Sequence, residues 1–321
     1  MTTFSKNISI VIPLYNEEES IKELSAWIRE VCLKENLSYE VIFVDDGSKD
    51  SSWQKIVEEK ESYPDEIKAV RFMRNYGKSA ALYTGFELAQ GEVVFTMDAD
   101  LQDSPDEIPQ MRKMLLENNY DIVSGWKRKR FDPISKRWPS KFFNLTARIV
   151  SGIKLHDFNC GLKCYRSDVV KAIEVYGEMH RYIPILAKDA GFSRIAEKEV
   201  THHKRKYGVS KFGIERMLKG YLDLITVSFM THFGRSPMYF FGGLGTIMFL
   251  LGGFTAIYLI IHKIVLQSSG LPVRSVTDQP LFFLAIMAVL LGAMLFLAGF
   301  LGELIIRSSS DRNKYLIKEK L

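Results

Sequence analysis

Two carboxylates, Asp98 and Asp100, stand at the end of the hydrophobic run Val93-Val94-Phe95-Thr96-Met97 with a single alanine between them. Alternate residues of a strand face opposite ways, yet at its frayed C-terminal end both carboxylates can reach one divalent cation. A hard cation held there would grip a diphosphate. The same residues also suit a plainer task, because Ser104-Pro105-Asp106-Glu107 is a good helix start. Three other polar clusters follow apolar runs: Pro13-Leu14-Tyr15-Asn16-Glu17, Asp45-Asp46-Gly47-Ser48 and Arg74-Asn75.

Those runs are the elements that must position the clusters. Ile8 to Ile12, Val41 to Val44, Ile67 to Phe72, Glu92 to Met97 and Ile122 to Ser124 read as strands, and Glu17 to Leu33 and Gly77 to Gln90 as helices. Continuous β-branched runs separated by amphipathic helices predict an α/β domain with a mainly parallel sheet covered on both faces. In such sheets ligands bind outside the carboxyl ends of the strands, where all four clusters fall. Gly77-Lys78-Ser79 imitates a phosphate-binding loop, but that motif needs a glycine at position 72, which is Phe72. No G-x-G-x-x-G follows the first strand either. A glycine-poor crevice with paired carboxylates points to a metal as the partner of the phosphates.

The chain has 321 residues, a net charge of +5 and 47% hydrophobic residues. That average hides two uncharged runs, Met238 to Ile261 and Leu281 to Gly302, each long enough as a helix to cross the ~30 Å hydrocarbon core of a bilayer. The segment between them carries only Lys263, Arg274 and Asp278, whereas basic residues crowd before the first run and after the second. This bias predicts an integral membrane protein with the large N-terminal domain and both termini in the cytoplasm. No signal peptide is visible, and Cys32, Cys160 and Cys164 suit packing in a reducing compartment. The boundaries expected are a catalytic domain over 1–203, a basic interface segment over 204–235, two spans with a short outer loop over 236–306 and a basic tail over 307–321.

PLYNEE at 13–18, VDDGS at 44–48, RNYGK at 74–78, DADLQDSP at 98–105, HDFNCGLK at 156–163 and RKYGVSK at 205–211, followed by two spans, resemble the family 2 glycosyltransferases that act on polyprenyl phosphate. The resemblance implies a GT-A fold (Rossmann-like, mainly parallel), a nucleotide-sugar donor, Mg2+ or Mn2+, and inversion at the anomeric carbon. It implies Pro13, Tyr15 and Glu17 at the nucleoside, Asp46 at the base or ribose, Asp98 near the sugar and ribose, and Asp100 and Gln102 as metal ligands. Glu17 equally suits a helix N-terminus, and Asp45 a turn. Lys127 falls where relatives often have an arginine that touches donor phosphates.

On the acceptor side, Arg205 and Lys211 match family positions that hold the phosphate of polyprenyl (undecaprenyl) phosphate, with Ser210 adding a hydrogen bond. An anchor for anionic lipid is the alternative for the basic run and the favoured reading for Lys204 and Lys206. Two apolar stripes, Trp138, Phe142, Leu145, Ile149, Ile153 and Ile214, Met217, Leu218, Tyr221, Leu222, Ile225, Phe229, suit helices lying on a bilayer or packing on protein. Asp157 is a base, an orienting group for acceptor or sugar, or a structural loop residue; a phosphate monoester is already mostly ionised and needs no base.

The expectation is an enzyme moving a hexose, with UDP-glucose as the first choice of donor and GDP-mannose or a UDP-aminosugar as alternatives, in a bacterial inner membrane. A non-catalytic nucleotide-sugar-binding scaffold is the rival from another class. Partners are the nucleotide sugar, the lipid phosphate and the bilayer, and no nucleic acid; the glycines of the spans are compatible with a homo-oligomer.

Overall fold

The computed structural model describes residues 4–128, 144–204, 206–207, 226, 229, 233, 236–270 and 274–308. The chain divides into two compact units, the first ending at Ser228 and the second beginning at Phe229.

In the first unit, β1 (Lys6–Leu14), β2 (Tyr39–Asp45), β3 (Ile67–Arg71), β4 (Gly91–Thr96), β5 (Ile122–Trp126), β6 (Lys163–Arg166) and β7 (Ile195–Glu199) form one sheet in the order β3-β2-β1-β4-β6-β5-β7. All neighbours are parallel except β6, which runs antiparallel to both β4 and β5. The five strands read from the sequence are present. The short β6 and β7 join them.

Strand periodicity sorts the core. Ile8, Ile10 and Ile12 pack on one face with α1 (Ile21–Lys34), α2 (Ser52–Ser62) and α4 (Ile108–Glu117), whereas Val11, Ile42 and Val94 pack on the other with α3 (Lys78–Leu88), α6 (Ser167–Ala172) and α7 (Ile183–Asp189). Both faces are therefore sealed, and each fully buried aliphatic side chain contributes about 1.5–3 kcal/mol. Helix α1 begins at Ile21 rather than Glu17, so Tyr15 to Glu19 form the loop that follows β1. The three cysteines are free and buried, in keeping with packing. In α5 (residues 144–151), the stripe residues Leu145 and Ile149 are exposed, whereas Ile153, just beyond the helix, is buried.

The registers level the strand ends. Leu14 of β1 pairs with Asp45, and Asp45 with Arg71, so the loops after β1, β2 and β3 leave the sheet together. Because β6 is antiparallel, Lys163 at its start pairs with Thr96 at the end of β4. The stretch 156–163 is thereby delivered to the same edge as Asp98.

In the second unit, two helices are long and apolar enough to cross a membrane, Met238–Ser268 and Pro280–Ile306. Their apolar side chains are mostly uncovered, Leu251 being 63% and Ile305 69% exposed. A bilayer is the solvent in which that surface is stable. The helices meet at glycines: a Cβ on Gly292 would lie 2.5 Å from Phe249 N, and one on Gly252 2.5 Å from Ala285 O. Gly243 and Gly253 face open space.

Candidate active site

The loops after β1 and β2 are stitched together. Asn16 takes a left-handed conformation (φ 56°), its side-chain oxygen accepts from Lys49 N at 2.8 Å, and its own N–H donates to Ser48 Oγ at 2.9 Å. Asparagine tolerates that geometry better than a branched residue. Tyr15 then forms one wall of a cleft of about 640 Å³, with Arg71, Phe72, Met73 and Arg74 along the end of β3. That volume suits a nucleoside-sized ligand.

The acidic pair after β2 has other work. Asp45 is fully buried, accepts from Ser48 N at 2.8 Å and pairs with Arg71 at 3.3 Å. Asp46 accepts from Tyr76 N at 2.6 Å and Gly77 N at 2.9 Å; burial raises its pKa, and these two hydrogen bonds oppose the rise. The structure thus gives Asp46 the task of shaping the loop before α3. The cleft itself is bordered by Arg71 and Arg74, which the sequence reading did not assign, and the RNYGK motif was the signal for Arg74.

Asp98 lies at the end of β4 in an ion pair with Lys78, the first residue of α3. Burial would push its carboxyl up, but Lys78 and Lys127 outweigh it and hold the group well below the usual carboxylate range. Lys127 reaches Asp103 at 2.6 Å, and neither side chain is more than 13% exposed. Burial works against the Lys127 ammonium, yet Asp103 keeps its pKa above the ordinary value. Backbone closes over both acids: a Cβ on Gly161 would lie 2.5 Å from Asp98 Oδ2 and 2.9 Å from Asp103 Oδ2, and Thr96 Oγ1 donates to Gly161 O at 2.8 Å.

Between Asp100 and Gln102, the buried Leu101 is left-handed (φ 58°), a conformation that costs an L residue about 1–2 kcal/mol. Gln102 N donates to Asp100 Oδ1 at 3.2 Å across this turn. The Gln102 amide nitrogen turns to His203 O at 3.4 Å, so its oxygen is the group for a cation. Among the described residues no group of three or more His, Cys, Asp or Glu side chains is placed to hold a metal. An ion at Asp100 and Gln102 would have two hard oxygen donors and take the rest of its coordination from substrate and water, which fits Mg2+ or Mn2+.

The antiparallel β6 brings Asp157 and Lys163 alongside. Asp157 is 1% exposed and accepts from Asn159 N at 3.0 Å. His156 stacks on Trp126 at 4.4 Å and pairs with Glu197, a structural part. Pro13, Lys78, Asp98, Lys163, His180 and Arg181 border a second, smaller cavity. Four of these, Lys78, Lys163, His180 and Arg181, went unassigned from sequence. Glu17 N donates to Ser52 Oγ at 2.9 Å. Arg205, Ser210 and Lys211 lie outside the described residues, as do Trp138, Phe142 and most of the second stripe. The chain leading to them is fixed: His203 N donates to Gln102 O at 2.8 Å, and Lys206 pairs with Glu23 at 2.8 Å.

A mainly parallel sheet with a nucleoside-sized cleft and an aspartate pair at the strand ends defines a GT-A-like fold. Residues 9–174 match the family described as Glycosyl transferase family 2, and the chain belongs to that family: it is a glycosyltransferase. It is 34% identical over 309 residues to a dodecaprenyl-phosphate galacturonate synthase of Rhizobium johnstonii, covering 95% of this chain and 89% of that protein. It is 36% identical over 307 residues to an undecaprenyl-phosphate 4-deoxy-4-formamido-L-arabinose transferase of Pseudomonas syringae, covering 95% and 87%. Among solved structures, the mannosyltransferase PcManGT of Pyrobaculum calidifontis in complex with GDP-Man and Mn2+ superposes with a TM-score of 0.51 at 18% identity over 93% of this chain and 76% of that one. Glucosyl-3-phosphoglycerate synthase of Mycobacterium tuberculosis with Mn2+ and UDP-glucose gives 0.53 at 16% over 71% and 79%. At such identities the likeness is one of fold.

Proposed function

We propose that this glycosyltransferase moves a sugar from a nucleoside diphosphate sugar to polyprenyl phosphate, inverting the anomeric carbon, at the cytoplasmic face of a bacterial inner membrane. The observation that carries the reading is that the 640 Å³ cleft after β1 to β3 and the Asp98 to Gln102 turn after β4 both follow the carboxyl ends of neighbouring parallel strands. Supporting it are relatives whose names give polyprenyl-phosphate sugar transfer over nearly the whole chain. Those names offer two sugar classes, a uronic acid and a formamido pentose; the UDP-glucose of the sequence reading is a third.

The nucleoside lies in the cleft against Tyr15, with Pro13 and Glu17 flanking it in the chain and Asp46 holding the Tyr76-Gly77 backbone that follows Arg74 and Asn75 of the cleft wall. Asp98 faces the sugar and ribose, and Lys78 keeps it ionised. Asp100 and Gln102 hold Mg2+ or Mn2+, which supplies Lewis-acid stabilisation of the departing diphosphate when bound. Lys127 adds positive charge from behind Asp103. Arg205, Ser210 and Lys211 hold the lipid phosphate, one oxygen of which forms the new bond to C1 as the bond from C1 to the diphosphate breaks and its electron pair leaves with the nucleoside diphosphate. The attacking oxygen is already ionised near neutral pH, so Asp157 orients rather than deprotonates.

Transfer by purified Asp100→Asn and Arg205→Ala proteins tests these roles. The first should lower kcat by about a hundredfold or more with its melting curve retained; the second should raise KM for the lipid more than for the donor. An active Asp100→Asn enzyme, or an unchanged lipid dependence in Arg205→Ala, contradicts the assignment.

A further inference from the structure

Helix α1 buries Ile21, Leu24, Ile28 and Cys32 in the core of the sheet. Glu23 and Trp27 lie off that face, four residues apart and therefore one above the other, Glu23 exposed and Trp27 half-buried. A glutamate in the first turn already suits the helix dipole, so helix stability alone accounts for its presence. The contacts of the two side chains give them a second task. Lys206, 183 residues further along the chain, donates from Nζ to Glu23 Oε2 at 2.8 Å and to Oε1 at 2.9 Å, and Tyr207 Oη donates to Oε2 at 3.4 Å. Tyr207 itself packs against the core that α1 lines.

Trp27 joins the same segment to the residues that follow Gln102. Its Nε1 donates to Asp106 Oδ1 at 3.2 Å, and its ring lies 5.7 Å from that of His203. The segment and the turn also pair directly: Asp103 and His202 form an antiparallel bridge, His203 N donates to Gln102 O at 2.8 Å, and the Gln102 side-chain amide donates to His203 O at 3.4 Å. Upstream, Thr201 is held by Glu107. Anchors at 201 to 203 and at 206 to 207 therefore bracket Lys204 and Arg205 in the chain. Anchoring made in advance removes an ordering cost from the step in which an anion binds.

Resting on the reading above, in which Arg205 holds the lipid phosphate, we propose that Glu23 and Trp27 are positioning residues for the acceptor. They fasten the chain on both sides of Arg205 and so set the lipid phosphate relative to the turn at Asp100 and Gln102. Neither touches a substrate; both act through the segment they hold. An exposed ion pair that served the fold alone would shift the melting curve and leave the preference for a phosphate untouched.

The test is the Kd of the full-length protein in detergent for undecaprenyl phosphate, with undecaprenol as the uncharged control and UDP and GDP as nucleotide controls. Glu23→Gln should raise the Kd for the lipid phosphate about two- to fivefold, and Glu23→Lys, which sets two like charges together, about tenfold. Trp27→Leu should act in the same direction, and Trp27→Phe, which keeps a ring beside His203, should recover part of the loss. Affinity for undecaprenol and for whichever nucleotide binds should stay within about twofold of wild type. Hydrogen exchange over residues 201–207, read by mass spectrometry without substrate, should quicken about threefold or more in Glu23→Lys and in Trp27→Leu. Undecaprenyl phosphate bound by wild type no better than undecaprenol would overturn the acceptor reading and the proposal with it. A wild-type preference for the phosphate that persists in Glu23→Lys and Trp27→Leu, a nucleotide affinity that falls as far as that for the lipid, or unaltered exchange overturns the proposal alone.

Discussion

At the scale of single residues, Gly161 is where the site tolerates least. A methyl group there would meet Asp98 Oδ2 at 2.5 Å and Asp103 Oδ2 at 2.9 Å. One carboxylate pairs with Lys78 and the other anchors Lys127, so neither moves without cost. Gly161→Ala should destabilise the protein by about 1–3 kcal/mol and reduce kcat, measured by thermal melting and by sugar transfer; wild-type melting and turnover would show that the loop yields freely. The acids of this site were legible in part. Asp98 and Asp100 stood out because they end an apolar strand, and the structure keeps them there. The resemblance implied Asp46 at the base or ribose, and the structure adds that its oxygens accept from backbone N–H groups of residues 76 and 77. Lys127 likewise spends its charge on Asp103. Spacing along a chain cannot reveal a partner 24 to 31 residues away.

Elements explain what the residues could not. The parallel strands β1, β2 and β4 were readable because each is a nearly continuous buried run, and a parallel sheet buries both faces; β3, at the sheet edge, is only half-buried. β6 and β7, Lys-Cys-Tyr-Arg and Ile-Ala-Glu-Lys-Glu, are short and half charged, and pairing with β5 rather than hydrophobic pattern defines them. Missing β6 hid Lys163, because only its antiparallel course brings that residue to Asp98. Beyond β7 the chain is fastened by Glu107, which pairs with Lys198 and accepts from Thr201 N at 3.0 Å and Thr201 Oγ1 at 2.9 Å. Burial opposes the charge on Glu107, but Lys198 and Thr201 prevail and lower its pKa below the ordinary 4.5. A depressed carboxyl stabilises fully above its unfolded value and loses that contribution as pH falls through the folded one. Glu107→Gln should therefore cost about 1–3 kcal/mol at pH 7, and the gap to wild type should narrow below about pH 4.5. Melting curves of both proteins across that range check it; a gap that widens in acid would be inconsistent with the pairing.

On the scale of the whole molecule, composition pointed to a division that the structure keeps. A charged α/β unit is followed by a pair of apolar helices, and the glycines at 245, 252 and 292 let the two backbones approach. The spans extend past the uncharged runs, to Ser268 and Ile306, because helix propensity continues through the flanking polar residues. Hydropathy made the spans legible, whereas the packing seam between them required coordinates. Joining a nucleotide-sugar site to membrane spans in one chain has a functional logic: the donor is water-soluble and the proposed acceptor is not, so the enzyme must hold both at the surface where they meet. The most direct measurement is transfer of radiolabel from a panel of UDP- and GDP-sugars, uronates included, to undecaprenyl phosphate by the purified full-length protein with Mg2+ or Mn2+. The account predicts labelled lipid-linked sugar formed in equal amount with nucleoside diphosphate and stopped by a chelator. Nucleoside diphosphate released without labelled lipid, or label passing only to a water-soluble acceptor, would contradict it.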